Sequence, residues 1–318
     1  MFRFDHLQAK LRSLPHVGAW PQMLALIDGA VHHDLRCAWD FPIVACQAVG
    51  GAPEAALPAA AAVFCSLVSI HLVDDLLDDD PDGDFRRLGA GPAANLALAF
   101  QAAGHAALDD PGIAPGVRAE LQACLAEMAL ATAFGQHLDS GEVAGEAEYW
   151  QVVGAKTPPL FGAALRLGAL AGGAPAAVAG ELDRLGRLLG TFVQVSDDLT
   201  DALAQPPSAD WQRRSNNLPM LYAMTADHPA RAEFLALSAA GHDPEALTAA
   251  QKLLLPSGGV SYCAWKMIEL SRQAQAVLAG IPLHDRRPLA RLLAEQVRPL
   301  EGLLGRMGLA EPLAPAPP

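Results

Sequence analysis

Aspartate is concentrated at two places in this sequence, and each place directly follows an apolar segment. Six aspartates occur between residues 74 and 82, and the spacing DDxxD recurs more than one hundred residues later, in "QVSDDLTD". Residues i, i+1 and i+4 of an α-helix lie close together on one side. We therefore expect two clusters of carboxylates, formed by Asp74, Asp75 and Asp78 and by Asp197, Asp198 and Asp201.

Three carboxylates within one helical turn repel one another, so each cluster needs a compensating cation. Oxygen ligands without histidine or cysteine favour Mg²⁺, which keeps some of its waters and bridges to substrate phosphates. The recurrence of the same spacing behind a second apolar helix predicts paired magnesium sites.

Two other interpretations apply to the first cluster alone. An acidic run is commonly a solvated helix end, and this interpretation would suffice for residues 71–83 if the second cluster were absent. The segment "DDDPDG" also resembles the opening of a calcium-binding EF-hand loop. The calcium interpretation fails because Gly89 occupies the closing position, where glutamate is needed, and because Pro81 lies inside the loop.

The composition is that of a globular protein with an acidic surface. Of the 318 residues, 52% are hydrophobic, and the formal net charge is −13. Sequence-independent binding to nucleic acid is excluded as a function class, because no basic stripe is available to displace counterions from phosphates.

Cysteine usage and the N-terminal sequence indicate a reducing compartment. The five cysteines are odd in number and widely spaced, which is typical of buried thiols and not of a disulfide framework or zinc site. The first ten residues carry charges where a signal peptide needs an apolar region, so we expect a cytoplasmic protein. The apolar run 56–73 contains proline and histidine, and we interpret it as a buried core helix and not as a membrane span.

The rest of the chain predicts an all-α fold. Alanine and leucine dominate, β-branched residues are sparse, and breaks carry proline or glycine. Helical spacing of apolar residues occurs in 94–108, 117–134, 160–171, 179–195 and 245–255. We expect a single domain over 1–300, followed by a C-terminal end (301–318) with a proline-rich, disordered tail.

From about residue 20 to about residue 297, the sequence resembles the trans-polyprenyl diphosphate synthase family, the class I all-α isoprenoid enzymes. The resemblance depends on several motifs in the correct order and spacing. These are DDLLD (74–78), the pair Arg86 and Arg87, GQHLD (135–139), the pair Lys156 and Thr157, QVSDDLTD (194–201) and LPMLYA (218–223).

The resemblance implies a bundle of about ten or more helices around a deep apolar cavity, with the two aspartate clusters facing each other at its mouth. It implies three Mg²⁺ ions that bridge the clusters to the diphosphate of an allylic prenyl substrate. Asp74 and Asp78 would hold two ions and Asp197 the third, with Asp75, Asp198 and Asp201 in support. The diphosphate would be bound by Lys156, Thr157, Gln194, Arg86 and Arg87. Ionisation of the C–O bond would then give an allylic carbocation. A homodimer is also implied.

The sequence departs from the family where elongating members bind a second diphosphate, that of isopentenyl diphosphate. Alignment on Pro42 places Ala38, Trp39 and Phe41 at positions of a lysine and two arginines, Leu67 at that of a histidine, and Ser215 at that of a later lysine. Losing three cations from one anion site would remove about 4–9 kcal/mol of binding free energy.

These departures favour a terpene synthase that ionises one C15 or C20 prenyl diphosphate and lets the cation cyclise or lose a proton. Two alternatives stay open. One is a chain-elongating prenyltransferase that uses isopentenyl diphosphate, since Arg87 is retained. The other is a silent partner subunit, although such a subunit has no evident need of intact aspartate motifs.

The substrate pocket is expected to lie below the first aspartate cluster. Residues without bulky aromatic rings precede this cluster, which favours a long prenyl chain. The pocket residues that we predict are Ser66, Ser69, Ile70, Phe134 and Phe161, and cation–π attraction to phenylalanine rings could steer the carbocation.

Overall fold

A computed structural model describes residues 4–29, 38–141, 143–208, 211, 216–240 and 243–306. Within these residues there are fifteen α-helices and no β-strand, which confirms the predicted all-α class. The first eight are α1 (Phe4–Arg12), α2 (Pro21–Gly29), α3 (Phe41–Ala48), α4 (Leu57–Asp78), α5 (Asp84–Leu88), α6 (Ala90–Leu108), α7 (Pro115–Asp139) and α8 (Glu146–Lys156). The others are α9 (Pro158–Ala171), α10 (Ala176–Leu203), α11 (Leu218–Thr225), α12 (Arg231–Ala239), α13 (Pro244–Leu253), α14 (Gly259–Gly280) and α15 (Arg287–Arg306).

Helix α4 is the central element that carries the first aspartate cluster. Pro58 lies in its first turn, where its fixed φ and missing N–H are tolerated. Every residue from Pro58 to Ser69 is buried, and His71 and Val73 are the first exposed side chains of the helix. The helix ends because Asp79 adopts the left-handed conformation, with φ of 50°, and Pro81 follows. The apolar run therefore fills the core, and the aspartates emerge at one end of the bundle.

Two apolar cores lie on opposite sides of α4. The larger core lies among α3, α7, α9, α10, α14 and α15, and the smaller core lies among α1, α2, α4 and α6. The apolar stretch Pro53–Asp78 is long and apolar enough to cross a membrane, but 72% of its most apolar window is buried inside the bundle. This burial agrees with the interpretation as a core helix.

Small residues allow the helices of the larger core to approach closely. A Cβ atom on Gly168 of α9 would lie 2.1 Å from the carbonyl oxygen of Pro42 in α3, and one on Gly186 of α10 would lie 2.3 Å from that of Phe161. Helix α9 therefore packs tightly between α3 and α10, and it fixes the position of α10, which carries the second aspartate cluster.

The described cysteines are buried, and the last helix extends beyond the predicted end of the domain. Cys46, Cys65, Cys124 and Cys263 are buried free thiols, whereas Cys37 lies outside the described residues. Helix α15 runs through to Arg306, so regular structure continues past residue 300. Residues 307–318, where we predict a disordered tail, lie outside the described part of the chain.

Candidate active site

The first aspartate cluster divides into two parts at the end of α4. Asp74 and Asp78 are one turn apart on the same helix face, and both are half-buried. Asp75 lies on a neighbouring face, and its Oδ2 accepts a hydrogen bond of 3.2 Å from the backbone N–H of Asp84. Burial raises the pKa of Asp75, which the Asp84 N–H partly offsets. Asp75 therefore holds the following loop, whereas Asp74 and Asp78 share the face that is available to a ligand.

Lys156, the last residue of α8, joins the first cluster to α7. Its Nζ lies 3.2 Å from Oδ1 of Asp74 and 2.6 Å from Oδ2 of Asp139, the last residue of α7. Burial lowers the pKa of Lys156, but the negative charges of Asp74 and Asp139 outweigh burial and raise it above its ordinary value. Lys156 is thus a positively charged group beside the first aspartates.

Thr157, the next residue, contacts the second cluster through Gln194. The Thr157 hydroxyl donates to Oε1 of Gln194 at 2.6 Å, and Nε2 of Gln194 donates to Oδ1 of Asp198 at 2.9 Å. Thr157 also lies between α8 and α9, and the two prolines that follow it begin α9. The junction of α8 and α9 therefore contacts both aspartate clusters.

The second cluster has the same division as the first. Asp197 and Asp201 are exposed and one turn apart, whereas the side chain of Asp198 is buried, with 5% exposure. Oδ2 of Asp198 accepts hydrogen bonds from the Tyr149 hydroxyl at 2.6 Å and from the Leu218 backbone N–H at 2.9 Å. In each cluster, the first and third aspartates share one helix face, and the second one accepts hydrogen bonds from a neighbouring segment.

The first and third aspartates of each cluster fit Mg²⁺ by the chemistry of their donor atoms. They supply carboxylate oxygens, the ligand type that this ion prefers. Oδ1 of Asp74 is buried and lies 3.2 Å from the Lys156 ammonium, so this carboxylate already faces a cation. Among the described residues, no three histidine, cysteine or acidic side chains are close enough to hold an ion by themselves. Oxygens from water and substrate would have to complete the coordination.

Two arginines follow the first cluster on α5. Arg86 donates to Oδ1 and the backbone carbonyl of Asp79 at 2.6 and 2.8 Å, so its guanidinium is bound to the loop behind α4. Arg87 contacts Oδ1 of Asp84 at 2.8 Å, and its side chain is 61% exposed. Of the two, Arg87 is the more accessible to a ligand.

The predicted pocket residues occupy different surroundings. Ile70 and Phe161 pack in or against the larger core, where Phe161 contacts Phe41 edge to face at 5.4 Å. Ser66 is buried on α4 and donates to the carbonyl of Ala62, while Ser69 points to α6 and donates to the carbonyl of Ala97.

Phe134 lies on an exposed face of α7, so its assignment to the substrate pocket stays a prediction. Its side chain is 58% exposed on the outer face of α7. The same helix buries Leu125 and Met128 on its inner face. Apolar residues on both faces of α7 made the orientation of Phe134 ambiguous in the sequence.

Three further residues, which were not predicted from the sequence, organise the site. Asp139 ends the GQHLD motif, so a signal existed, but no role was assigned to it. Asn216 donates to Oδ1 of Asp139 at 3.0 Å, and Tyr149 donates to Asp198. Neither Asn216 nor Tyr149 belongs to a motif that we recognised, and both depend on contacts between residues that are distant in sequence.

Comparison with known proteins identifies the family. The sequence profile of the polyprenyl synthetase family matches residues 43–254. Nonaprenyl diphosphate synthase of Mycobacterium tuberculosis is 34% identical over 154 residues, which is 46% of this chain and 46% of that protein. The chain thus spans about half the length of this relative in the alignment. A short chain isoprenyl diphosphate synthase of Methanothermobacter thermautotrophicus is 26% identical over 276 residues, which is 80% of this chain and 83% of that protein.

Solved structures share the fold over nearly the whole chain. A geranylgeranyl pyrophosphate synthase superimposes with a TM-score of 0.80 at 17% identity and covers 94% of this chain and 99% of its own. A polyprenyl synthase of Caulobacter crescentus, complexed with calcium and isoprenyl diphosphate, superimposes with a TM-score of 0.77 at 20% identity, covering 93% of this chain and 92% of its own.

These comparisons contradict the expectation of a terpene synthase. The relatives are named as nonaprenyl, short chain isoprenyl, geranylgeranyl and heptaprenyl diphosphate synthases, which are chain-elongating enzymes. The expectation depended on an alignment of residues 36–42, which precede the segment matched by the family profile.

The structure gives a physical reason for this correction. Ala38, Phe41 and Leu67 are buried in the larger core, and Trp39 is half-buried against the ring of Phe4. Packing in or against the core accounts for these apolar side chains, so their presence does not by itself show that cations were lost. Ser215 lies outside the described residues. The profile match covers well over half of the sequence, and the chain belongs to the polyprenyl synthetase family.

Proposed function

We propose that this protein is a Mg²⁺-dependent prenyltransferase that condenses an allylic prenyl diphosphate with isopentenyl diphosphate and releases diphosphate. The observation that carries the proposal is the position of Lys156. Its ammonium lies beside Asp74 and Asp139, and its neighbour Thr157 connects to the second cluster through Gln194. A cation at the junction of two acidic clusters suits a site that binds a diphosphate together with metal ions.

The roles of the residues follow from charge. Bound Mg²⁺ would neutralise the leaving diphosphate, and proteins of this family generally use Mg²⁺. Asp74, Asp78 and Asp197 would hold the ions, and Asp201, which shares an exposed helix face with Asp197, would support them. Lys156 would bind the diphosphate through a charge-assisted hydrogen bond and stabilise the negative charge that develops when the allylic C–O bond breaks.

The second substrate needs its own cation. Arg87 is the candidate, because it lies near the first cluster and its side chain is 61% exposed. With its diphosphate held there, isopentenyl diphosphate would present its double bond to the allylic carbon. The double bond attacks C1 of the allylic substrate, diphosphate leaves, and loss of a proton from the adduct gives a prenyl diphosphate that is one isoprene unit longer.

The experiment is incubation of the purified protein with Mg²⁺ and geranyl, farnesyl or geranylgeranyl diphosphate, with and without isopentenyl diphosphate. Mass spectrometry would identify the products. We expect longer prenyl diphosphates that form only when isopentenyl diphosphate is present and that disappear on addition of EDTA. Hydrocarbon or alcohol formed from the allylic substrate alone would contradict the proposal, as would the absence of any turnover.

Two further features belong to the proposal. We expect a cytoplasmic homodimer, with the apolar outer faces of α6 and α7 as the contact surface. Leu98 of α6 and Leu130 and Phe134 of α7 are 69%, 74% and 58% exposed. We also expect a C15 or longer product, because Ser66 and Ile70 leave the space below Asp74 without a bulky ring.

A further inference from the structure

Tyr149 connects α8 to the second aspartate cluster from the interior of the protein. Its side chain has 0% exposure, and its hydroxyl donates to Oδ2 of Asp198 at 2.6 Å. Burial and the neighbouring Asp198 raise the pKa of Tyr149 well above its ordinary value, so the phenol stays protonated and remains a donor.

Asp198 is held by donors from three different helices. Besides the hydroxyl of Tyr149 in α8, it accepts the backbone N–H of Leu218 in α11 and the side-chain amide of Gln194 in α10. A buried carboxylate is stable only when its oxygens are satisfied in this way. The Asp198 carboxylate is therefore a fixed point around which α10 is oriented.

The orientation of α10 matters because the other two aspartates of its cluster, Asp197 and Asp201, are exposed. Asp197 precedes Asp198 directly, and Asp201 follows Asp197 after one turn. If the side chain of Asp198 lost its fixed position, α10 could rotate or shift, and Asp197 and Asp201 would leave the face that we propose for the metal ions.

Helix α8 contacts both clusters because Tyr149 and Lys156 lie at its two ends. These residues are seven positions apart, which corresponds to about 10 Å along the axis. Tyr149 donates to Asp198 of the second cluster, and Lys156 contacts Asp74 of the first. The distance between the clusters is thus constrained by one rigid element.

We propose that Tyr149 is a positioning residue for metal and diphosphate binding. Its hydroxyl fixes Asp198 and thereby holds the two exposed aspartates of α10 at the correct place relative to Lys156 and the first cluster. The inference rests on the proposed function, since it concerns the site where Mg²⁺ and the allylic diphosphate would bind.

The test compares Tyr149→Phe with Tyr262→Phe as a matched control. Each change removes one phenolic hydroxyl that donates to a carboxylate, because Tyr262 donates to Glu146 in the first turn of α8. Glu146 lies at the protein surface, away from both aspartate clusters in sequence. Calorimetry would measure binding of farnesyl thiolodiphosphate, which resists ionisation, over a range of Mg²⁺ concentrations. Thermal unfolding of each variant would be recorded in parallel.

For Tyr149→Phe we expect the Mg²⁺ concentration at half-maximal analogue binding to rise about 10- to 100-fold, which is the range for losing a hydrogen bond to a charged group. For Tyr262→Phe we expect a change of less than about twofold. An unchanged Mg²⁺ dependence in folded Tyr149→Phe would overturn the inference. An equal shift in both variants would also overturn it, because the effect would then come from general loosening of α8.

If Tyr149→Phe fails to fold, Asp198→Asn probes the same contact from the other partner. This variant keeps the shape of the side chain and weakens the hydrogen bond by removing the charge. It should shift the Mg²⁺ dependence in the same direction, and wild-type-like binding would refute the inference. Failure of the wild-type protein to bind the analogue with Mg²⁺ would be a different result. It would refute the proposed function and, with it, this inference.

Discussion

Lys156 Nζ lies 3.2 Å from Oδ1 of Asp74, so the C-terminal end of α8 meets the end of α4 through a half-buried ion pair. Asp139 lies at 2.6 Å on the same ammonium, which gives one cation two carboxylate partners. The two negative charges raise the pKa of Lys156 and keep its side chain charged. Binding of metal ions to Asp74 would compensate its negative charge and make the ammonium available to a diphosphate oxygen.

Lys156→Met should lower kcat/KM for the allylic substrate by about 10- to 100-fold, because one charge-assisted hydrogen bond is lost. Lys156→Arg keeps the charge and should retain more activity than Lys156→Met. Lys252→Met, on the exposed surface of α13, is the control and should behave like the wild type. Steady-state assays with isopentenyl diphosphate test this prediction. Equal activity of Lys156→Met and wild type would show that Lys156 does not take part in binding the allylic diphosphate.

The division within each aspartate cluster predicts unequal effects of neighbouring substitutions. Asp74→Asn should lower kcat/KM by about 100-fold or more, because it removes a charged metal ligand. Asp75→Asn should lower kcat/KM less and chiefly reduce the melting temperature, because Asp75 accepts the Asp84 N–H. Assays at saturating Mg²⁺, combined with thermal unfolding, test this difference. The assignment is wrong if Asp75→Asn is the more damaging change for catalysis at unchanged stability.

Local patterns were sufficient to predict the helices and the two aspartate clusters, because helical periodicity and the DDxxD spacing are short-range features. The predicted apolar segment 160–171, for example, corresponds to α9 (Pro158–Ala171). The contact between Tyr149 and Asp198 joins residues 49 positions apart and has no local signature. The orientation of Phe134 was unpredictable for another reason. Helix α7 has apolar residues on its exposed face as well as on its buried one, so the sequence pattern does not show which face is buried.

The expectation of a terpene synthase was wrong because of how Ala38 and Phe41 were interpreted. Both were compared with charged residues of a motif, although their sequence context gave no sign that they are core positions. In the structure Ala38 is fully buried and Phe41 packs on Phe161. A sequence pattern cannot distinguish an apolar residue that replaces a ligand-binding cation from one that lies elsewhere in the fold.

Ser66→Phe should shorten the product. Ser66 lies two turns before Asp74 on the same face of α4, which places it about 12 Å from the reaction site along the helix. A phenyl ring there would block the space into which the growing chain extends. Product analysis by mass spectrometry should show a loss of at least one isoprene unit, whereas Ser69→Ala, which points to α6, should leave the product length unchanged. If Ser66→Phe gave the wild-type product, the growing prenyl chain would not extend past Ser66.

Leu130→Asp should weaken the proposed dimer. Leu130 is 74% exposed on α7, one turn before Phe134, and burying an unpaired carboxylate in an apolar contact is costly. Light scattering after size exclusion should show a smaller mass or a concentration-dependent equilibrium for this variant. Leu255→Asp, which changes another exposed leucine outside α6 and α7, is the matched control. A wild-type mass for Leu130→Asp would exclude this face.

The raised pKa of Asp40 predicts how the stability of the protein depends on pH. Burial, and to a lesser extent the negative charge of Glu295, raise the pKa of Asp40 from 3.8 to about 6. Because the folded state binds this proton more tightly than the unfolded state, ionisation of Asp40 destabilises the fold. The penalty is absent below pH 3.8, grows as the pH rises to about 6, and is constant above that value.

Asp40→Asn removes this penalty and should raise the free energy of unfolding at neutral pH by up to about 3 kcal/mol. The gain should shrink as the pH falls below about 6 and vanish only below pH 3.8, where Asp40 of the wild type is protonated in both states. Urea unfolding at a series of pH values measures the difference. Asp40 and Asp285 line one surface groove, and Asp285→Asn is the control because Arg287 lowers the pKa of Asp285 and favours its ionised form. A pH-independent difference between Asp40→Asn and wild type would show that the carboxyl group of Asp40 titrates normally in the folded protein.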